Sequence, residues 1–251
     1  MSEIIYPLND FIGCVRITNK HSNPLLAVVN AARVSYNTEK EETDARDEKL
    51  SKFLWEHRHT SPFRHNFYTI SIKAPLFVFR QWWKHQVAAP WLNIEGADTE
   101  CAIDISAIEI DTDGAPSWNE VSGRYVKLDP EFYIPNTFRS NAGHANKQAS
   151  SADESWGPEV HEELREDYAR DCREAYAKYQ SRLEFGVARE QARMLLPQNI
   201  YTSCVWTPSL QALLHFFELR CKDDAQWEIR RYAWAIRDLI QSDLNTLGIE
   251  L

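Results

Sequence analysis

The sequence predicts a mixed α/β protein of the α+β kind, on three observations. Residues His65 to Lys73 alternate, with Tyr68, Ile70 and Ile72 on one side and Phe67, Thr69, Ser71 and Lys73 on the other. That period of two marks a strand. Val15-Arg16-Ile17-Thr18 reads as another strand. From Glu159 onward the pattern turns helical, with Leu164, Tyr168, Cys172, Ala175, Tyr179 and Leu183 spaced by three and four, the stripe of a helix with one apolar face.

The remaining elements follow in chain order. Asn23-Pro24 opens a helix through Leu25, Leu26, Val28, Val29 and Ala32, with proline near the first position, where its missing N–H costs nothing. A helix is expected from Asp44 to Trp55, with Leu50, Phe53 and Leu54 on one face. Pro75 starts a short apolar helix, Leu76 to Phe79, that runs into the polar cluster Arg80-Gln81-Trp82-Trp83-Lys84-His85-Gln86. Residues 89–116 form an insert carrying Glu95, Asp98, Glu100, Asp104, Glu109, Asp111 and Asp113 but no Lys, Arg or His. Within it, Ile103-Asp104-Ile105 and Ile108-Glu109-Ile110 read as two short strands and Asp113-Gly114 as a turn. Residues 136–158, rich in Asn, Ser, Ala and Gly, read as a mobile loop. The long helix after Glu159 is expected to end near Gly186. A further helix covers Ala188–Leu196 and stops at Pro197. Another follows Thr207-Pro208, with Thr207 as its cap. The last runs from Asp224 to about Leu244.

Composition bounds the function. With 251 residues, 43% of them hydrophobic, and nine tryptophans, the chain is expected to form one domain over residues 1–251 with a sizeable core and the acidic insert as an excursion. A net charge of −9 argues against nucleic acid as a partner. It leaves room for small anions held by local arginines. Five cysteines, an odd number without C-x-x-C, fit free thiols in a reducing cytosol. The first seven residues lack a signal-peptide pattern, and no apolar run approaches membrane-spanning length. A soluble, cytoplasmic protein without a membrane partner is expected.

The chemistry concentrates in a few places. Ser117-Trp118-Asn119-Glu120-Val121-Ser122-Gly123-Arg124-Tyr125 packs an amide, a carboxylate, hydroxyls, a glycine and an arginine together. It offers acceptors for sugar hydroxyls or ring amides and a donor fork for phosphate. Ser117 and Glu120 also fit a capping box, so half of the stretch could be a helix start. Arg189 and Arg193, four apart, share a helical face and repel by about 0.2–0.5 kcal/mol unless an anion lies between them. A solvated face paired with Glu190 is the alternative. Arg220 ends a helix, where a cation is worth about 0.3–1 kcal/mol on its own; it could also stabilise negative charge on a pyrimidine ring. His57, His59, His65 and His85 lack an H-E-x-x-H frame, so no metal is expected. Neither G-x-G-x-x-G nor G-x-x-x-x-G-K-[ST] occurs.

Taken together, these stretches resemble the flavin-dependent thymidylate synthases. The family signature is Arg-His-Arg, a short spacer, Ser, then Asn-Glu-x-Ser-Gly-Arg-Tyr. Here it reads Lys84-His85-Gln86, the insert, then Ser117 to Tyr125. Ala74 to Trp82 precedes it and Leu128 to Pro135 follows. Ala31 to Ser35, His59 to His65, Arg189 to Pro197 and Ala225 to Ile229 match in order. The resemblance implies a central antiparallel sheet flanked by helices and a homotetramer whose active sites are shared between subunits. It also implies reductive methylation of dUMP to dTMP with FAD, NADPH and methylenetetrahydrofolate, without an enzyme cysteine. By the same match, dUMP would meet Gln81, Trp82, Trp83, Lys84, Glu120, Val121, Ser122, Gly123, Arg124, Arg193 and Arg220. FAD would meet Ser61, Lys84, His85, Gln86, Glu120, Ser209, Leu210, Gln211 and His215. Arg220, Ser122 and His59 are the expected catalytic residues. Lys84 and Gln86 depart from the family's two arginines, which puts the contacts to FAD at issue. Two other readings stay open: methylation of another pyrimidine nucleotide such as UMP, and nucleotide binding without catalysis.

Overall fold

The computed structural model describes residues 3–85, 117–140, 150 and 156–251. The insert with its two expected strands, Gln86, and most of the loop expected over residues 136–158 lie outside the described residues.

The centre is a four-stranded antiparallel sheet of β1 (Cys14–Lys20), β2 (Tyr68–Pro75), β3 (Ser117–Glu120) and β4 (Tyr201–Thr207), in the order β1-β2-β4-β3. β2 begins at Tyr68 rather than His65 because Ser61–His65, opened by Pro62, winds into a 3-10 turn. Tyr68, Ile70, Ile72 and Ala74 alternate inward and are fully buried or nearly so. β4 went unforeseen. Its Tyr, Val, Trp and Thr residues favour a pleated sheet, and it runs straight through Thr207. The cap of the following helix is therefore Ser209, whose Oγ accepts from Ala212 N at 3.2 Å. β3 corrects the capping-box reading: Trp118 pairs with Trp206, and Glu120 with Cys204, as an edge strand.

The helices are α1 (Pro24–Arg33), α2 (Ala45–Glu56), α3 (Leu76–Trp82), α4 (Pro158–Glu184), α5 (Arg189–Ala192), α6 (Leu210–Arg220), α7 (Trp227–Leu239) and α8 (Gln241–Thr246). Asn23 caps α1, accepting from Leu26 N at 3.0 Å. Asp44 caps α2 in a reciprocal box with Asp47. Leu54 is buried as expected, but Phe53 is 48% exposed, and α2 also buries Asp47 and Ser51. The buried Asp47 carboxylate accepts from Arg33 and Lys40, so an ion-pair network adjoins the apolar face on which Leu54 enters the core and Leu50 packs against it. α4 stops at Glu184, and the chain turns away at Gly186, whose φ of +94° is readily adopted only by glycine. The expected helix over 188–196 is a single α-turn that tightens to 3-10 at Arg193–Leu195. The last helix breaks at Ile240 into α7 and α8. α7 packs on β1 and on α6. Among the described residues, no helix is long and apolar enough to cross a membrane.

One aromatic cluster ties the sheet to α3 and α6. Trp82 stacks on Phe216 with centroids 5.1 Å apart and meets Trp206 and Trp118 edge-on. Trp118 stacks on Trp206 at 5.0 Å. Trp82, Trp206 and Phe216 are fully buried or nearly so. Such pairs contribute roughly 0.5–1.5 kcal/mol each beyond their burial. The cluster sets how α3, α6 and β3 sit, and those three elements carry the polar groups of interest.

Candidate active site

Two groups of candidate site side chains sit at the rim of this cluster. The first forms where the end of α3 meets the end of α6. Arg220 Nε donates to His85 Nε2 at 2.7 Å, across 135 residues of sequence. An arginine only donates, so His85 Nε2 carries a lone pair and its proton sits on Nδ1. His85 is buried and lies edge-on to Phe216 at 5.1 Å. Burial, with Arg220 and His215 adding positive charge nearby, depresses its imidazole to about 4. The ring is therefore neutral at physiological pH, and it orients Arg220 without consuming its charge. The Nη groups of Arg220 have no partner among the described residues.

A pH dependence follows. Between the ordinary histidine value near 6.5 and about 4, the unfolded chain binds a proton at residue 85 that the folded chain does not. His85 thus costs no stability above about pH 6.5 and a growing amount as pH falls toward 4. Denaturant midpoints measured between pH 7.5 and 4.5 fall less steeply in His85→Gln than in the wild type.

The second group lines a cleft of about 410 Å³ between β3, β4 and the 3-10 turn after α5, with Arg80, Glu120, Gly123, Glu190, Arg193 and Thr202 in its wall. Thr202 Oγ1 donates to Glu120 Oε1 at 2.9 Å and fixes that carboxylate. Ser122 makes a turn: its Oγ accepts from Arg124 N at 3.3 Å, and its carbonyl from Tyr125 N at 2.9 Å. Gly123 is buried at the tip, where an added Cβ would stand 3.2 Å from Arg193 Cδ and 3.3 Å from Leu128. That close approach, not a special φ, selects glycine. Gly123→Ala is expected to push Arg193 aside and weaken binding of an anion in this cleft about tenfold, measurable by equilibrium titration. Arg189 and Arg193 do not act as a pair: Arg189 Nη1 donates to Tyr125 O at 3.2 Å, while Arg193 lines the cleft. Arg80, exposed on α3, was missed although it sits inside the motif block that drew attention to Gln81.

Other expected residues are distributed unevenly. Trp82 is wholly inside the core, so any ligand contact it makes must come from its backbone. Ser209 and Leu210 are also fully buried; they start α6, with Leu210 N donating to Asn66 O at 2.6 Å. Trp83 stacks on Phe79. Gln211 bridges Arg64 at 2.5 Å and Thr60 at 2.9 Å. Lys84 and Val121 are exposed, as are His59 and Ser61. His57 and His59 stack on Phe53, at 4.0 and 6.3 Å, around a corner that Arg58 pins to Glu218 at 2.8 Å. Among the described residues, no cluster of His, Cys, Asp and Glu could hold a metal ion. The described cysteines form no disulfide, and burial pushes each of the four thiols upward. None is a ready thiolate.

The family model described as "Thymidylate synthase complementing protein" matches residues 16–244. The flavin-dependent thymidylate synthase of Thermus thermophilus is 40% identical over 229 residues, 91% of this chain and 72% of that protein. This chain belongs to the flavin-dependent thymidylate synthase family. A second family member, from Thermotoga neapolitana, is 36% identical over 91% of this chain and 86% of its own length. Among solved structures, the UMP/dUMP methylase PolB from Streptomyces cacaoi bound with 5-Br dUMP superposes with a TM-score of 0.70 at 25% identity, covering 99% of this chain and 97% of that one. The antiparallel sheet flanked by helices is thus the fold of this family. His85 and the strand of Glu120 are joined through Trp82 and Trp118: His85 N donates to Trp82 O at 2.9 Å, and the two indoles meet edge-on.

Proposed function

We propose that this chain methylates dUMP to dTMP, taking a one-carbon unit from methylenetetrahydrofolate and reducing equivalents from NADPH through FAD. The observation that carries the reading is the Arg220–His85 pair, seated on the same aromatic cluster as β3 and its cleft. The residues fit the ligands. A dianionic phosphate suits a cleft containing Arg193 and Arg80, with the Gly123 backbone close by. A ribose hydroxyl suits Glu120, already held by Thr202. A uracil ring losing its C5 proton suits Arg220, whose cation is aimed by a neutral imidazole. FAD would be held by His85, Lys84, Gln86, Gln211, His215 and the exposed Ser61 and His59; when bound, it supplies the hydride that completes the methyl group.

Within one chain no hydrogen bond or ion pair joins the Arg220 group to the Arg193 cleft among the described residues. We infer that the site is completed in a homotetramer, where a neighbouring copy brings the second group beside the first. Purified protein incubated with FAD, NADPH, methylenetetrahydrofolate and dUMP forms dTMP if the reading holds; FAD-saturated protein that forms none refutes it. The likeness to a methylase of both UMP and dUMP supports a second reading, in which UMP is also accepted. Replacing dUMP by UMP and dCMP in the same assay decides between them.

A further inference from the structure

A chain of side-chain hydrogen bonds runs from the core to Gln81, and its direction is fixed at the far end. Glu228, in the first turn of α7, is 3% exposed. Its Oε1 accepts from Arg139 Nη2 at 2.6 Å and from Tyr133 Oη at 3.3 Å. Its Oε2 accepts from Gln226 Nε2 at 2.9 Å. Gln226 Oε1 in turn accepts from Gln81 Nε2. A carboxylate paired with arginine only accepts. Gln226 must therefore show it the amide nitrogen and turn its oxygen to Gln81, and Gln81 must spend its nitrogen on Gln226. The side-chain oxygen Oε1 of Gln81, a half-buried residue on α3, is left as its presented group, with no hydrogen-bond partner among the described residues.

We infer that the Arg139–Glu228–Gln226 relay holds Gln81 as a hydrogen-bond acceptor that selects a pyrimidine base with an imide N–H, uracil over cytosine. The inference rests on the proposed function and names how its base is chosen. A ribose hydroxyl donates or accepts equally well and would not need a fixed polarity. The N3 position does: in uracil it only donates, and in cytosine it only accepts. Glu228 and Gln226 touch no ligand in this account; they are positioning residues.

Glu228→Gln tests this sharply. The guanidinium still demands an oxygen on its side, so the new amide turns its nitrogen toward Gln226. Gln226 then reverses, Gln81 reverses, and an N–H is presented in place of the oxygen. Equilibrium titration of the full-length, FAD-loaded protein with dUMP and dCMP is the measurement. Wild type favours dUMP by about a hundredfold or more. Glu228→Gln narrows that ratio about tenfold or more, through weaker dUMP and tighter dCMP. Gln226→Met leaves Glu228 paired with Arg139 but cuts the relay; it weakens dUMP without improving dCMP, and it keeps the test open should Glu228→Gln fold poorly. Tyr133→Phe removes a donor from the same carboxylate without changing the polarity and leaves the ratio as in wild type. A Glu228→Gln protein that weakens both nucleotides equally, or keeps the wild-type ratio, overturns the relay. Wild-type protein that binds no dUMP overturns the functional reading itself.

Discussion

Arg220→Ala lowers kcat/KM for dUMP by about 10²–10³-fold while the protein stays folded. The size follows from the loss of one preorganised donor group aimed at developing negative charge. The folding cost is small because Arg220 is half-buried at the end of α6, where a cation contributes about 0.3–1 kcal/mol. Burial makes the charged form less favourable there, with the Asp224 carboxylate acting the other way. Arg220→Lys separates charge from geometry. It keeps the cation but loses the planar fork and the Nε bond to His85, so it recovers less than a tenth of the lost rate. Steady-state dTMP formation alongside a thermal melt reads both. Wild-type rates from either variant would remove Arg220 from the chemistry.

Trp82→Ala is expected to cost about 3–5 kcal/mol of stability. The indole has no exposed surface and packs against Phe79, Phe216, Trp118 and Trp206. For a chain of this size that loss lowers Tm by roughly 10 °C. Trp82→Phe keeps the stacking on Phe216 and costs much less, leaving dUMP affinity per folded molecule unchanged. Denaturant unfolding of both variants, paired with dUMP titration, distinguishes a core tryptophan from a ligand-binding one. A Trp82→Phe protein that folds as wild type but loses dUMP would return Trp82 to the binding surface.

These two residues show where sequence was a good guide and where it was not. Local signals were legible because their causes are local: Asn23-Pro24 and Asp44 mark helix starts through their own side chains, and Gly186 marks an end through its backbone. The strand at Tyr68 announced itself by alternation. β4 did not, because Thr207-Pro208 imitates a helix cap, and only pairing with β2 and β3 makes Tyr201–Thr207 a strand. Ser117 to Glu120 imitates a capping box for the same reason. In the site, Arg220, His85, Glu120, Gly123 and Arg193 could be named from motif blocks. Their burial could not, so nothing in the sequence marked Trp82, Ser209 and Leu210 as residues whose side chains lie in the core. The Glu228 relay joins α3 to α7 across 145 residues, a distance no window of sequence spans.

In the proposed function two remote stretches build one uridylate site. Calorimetric titration of FAD-loaded protein with dUMP tests it, in wild type, Arg193→Ala and Arg220→Ala. One nucleotide binds per chain, and either substitution raises Kd about tenfold or more. Two independent sites, or affinity that responds to only one of the arginines, would contradict it.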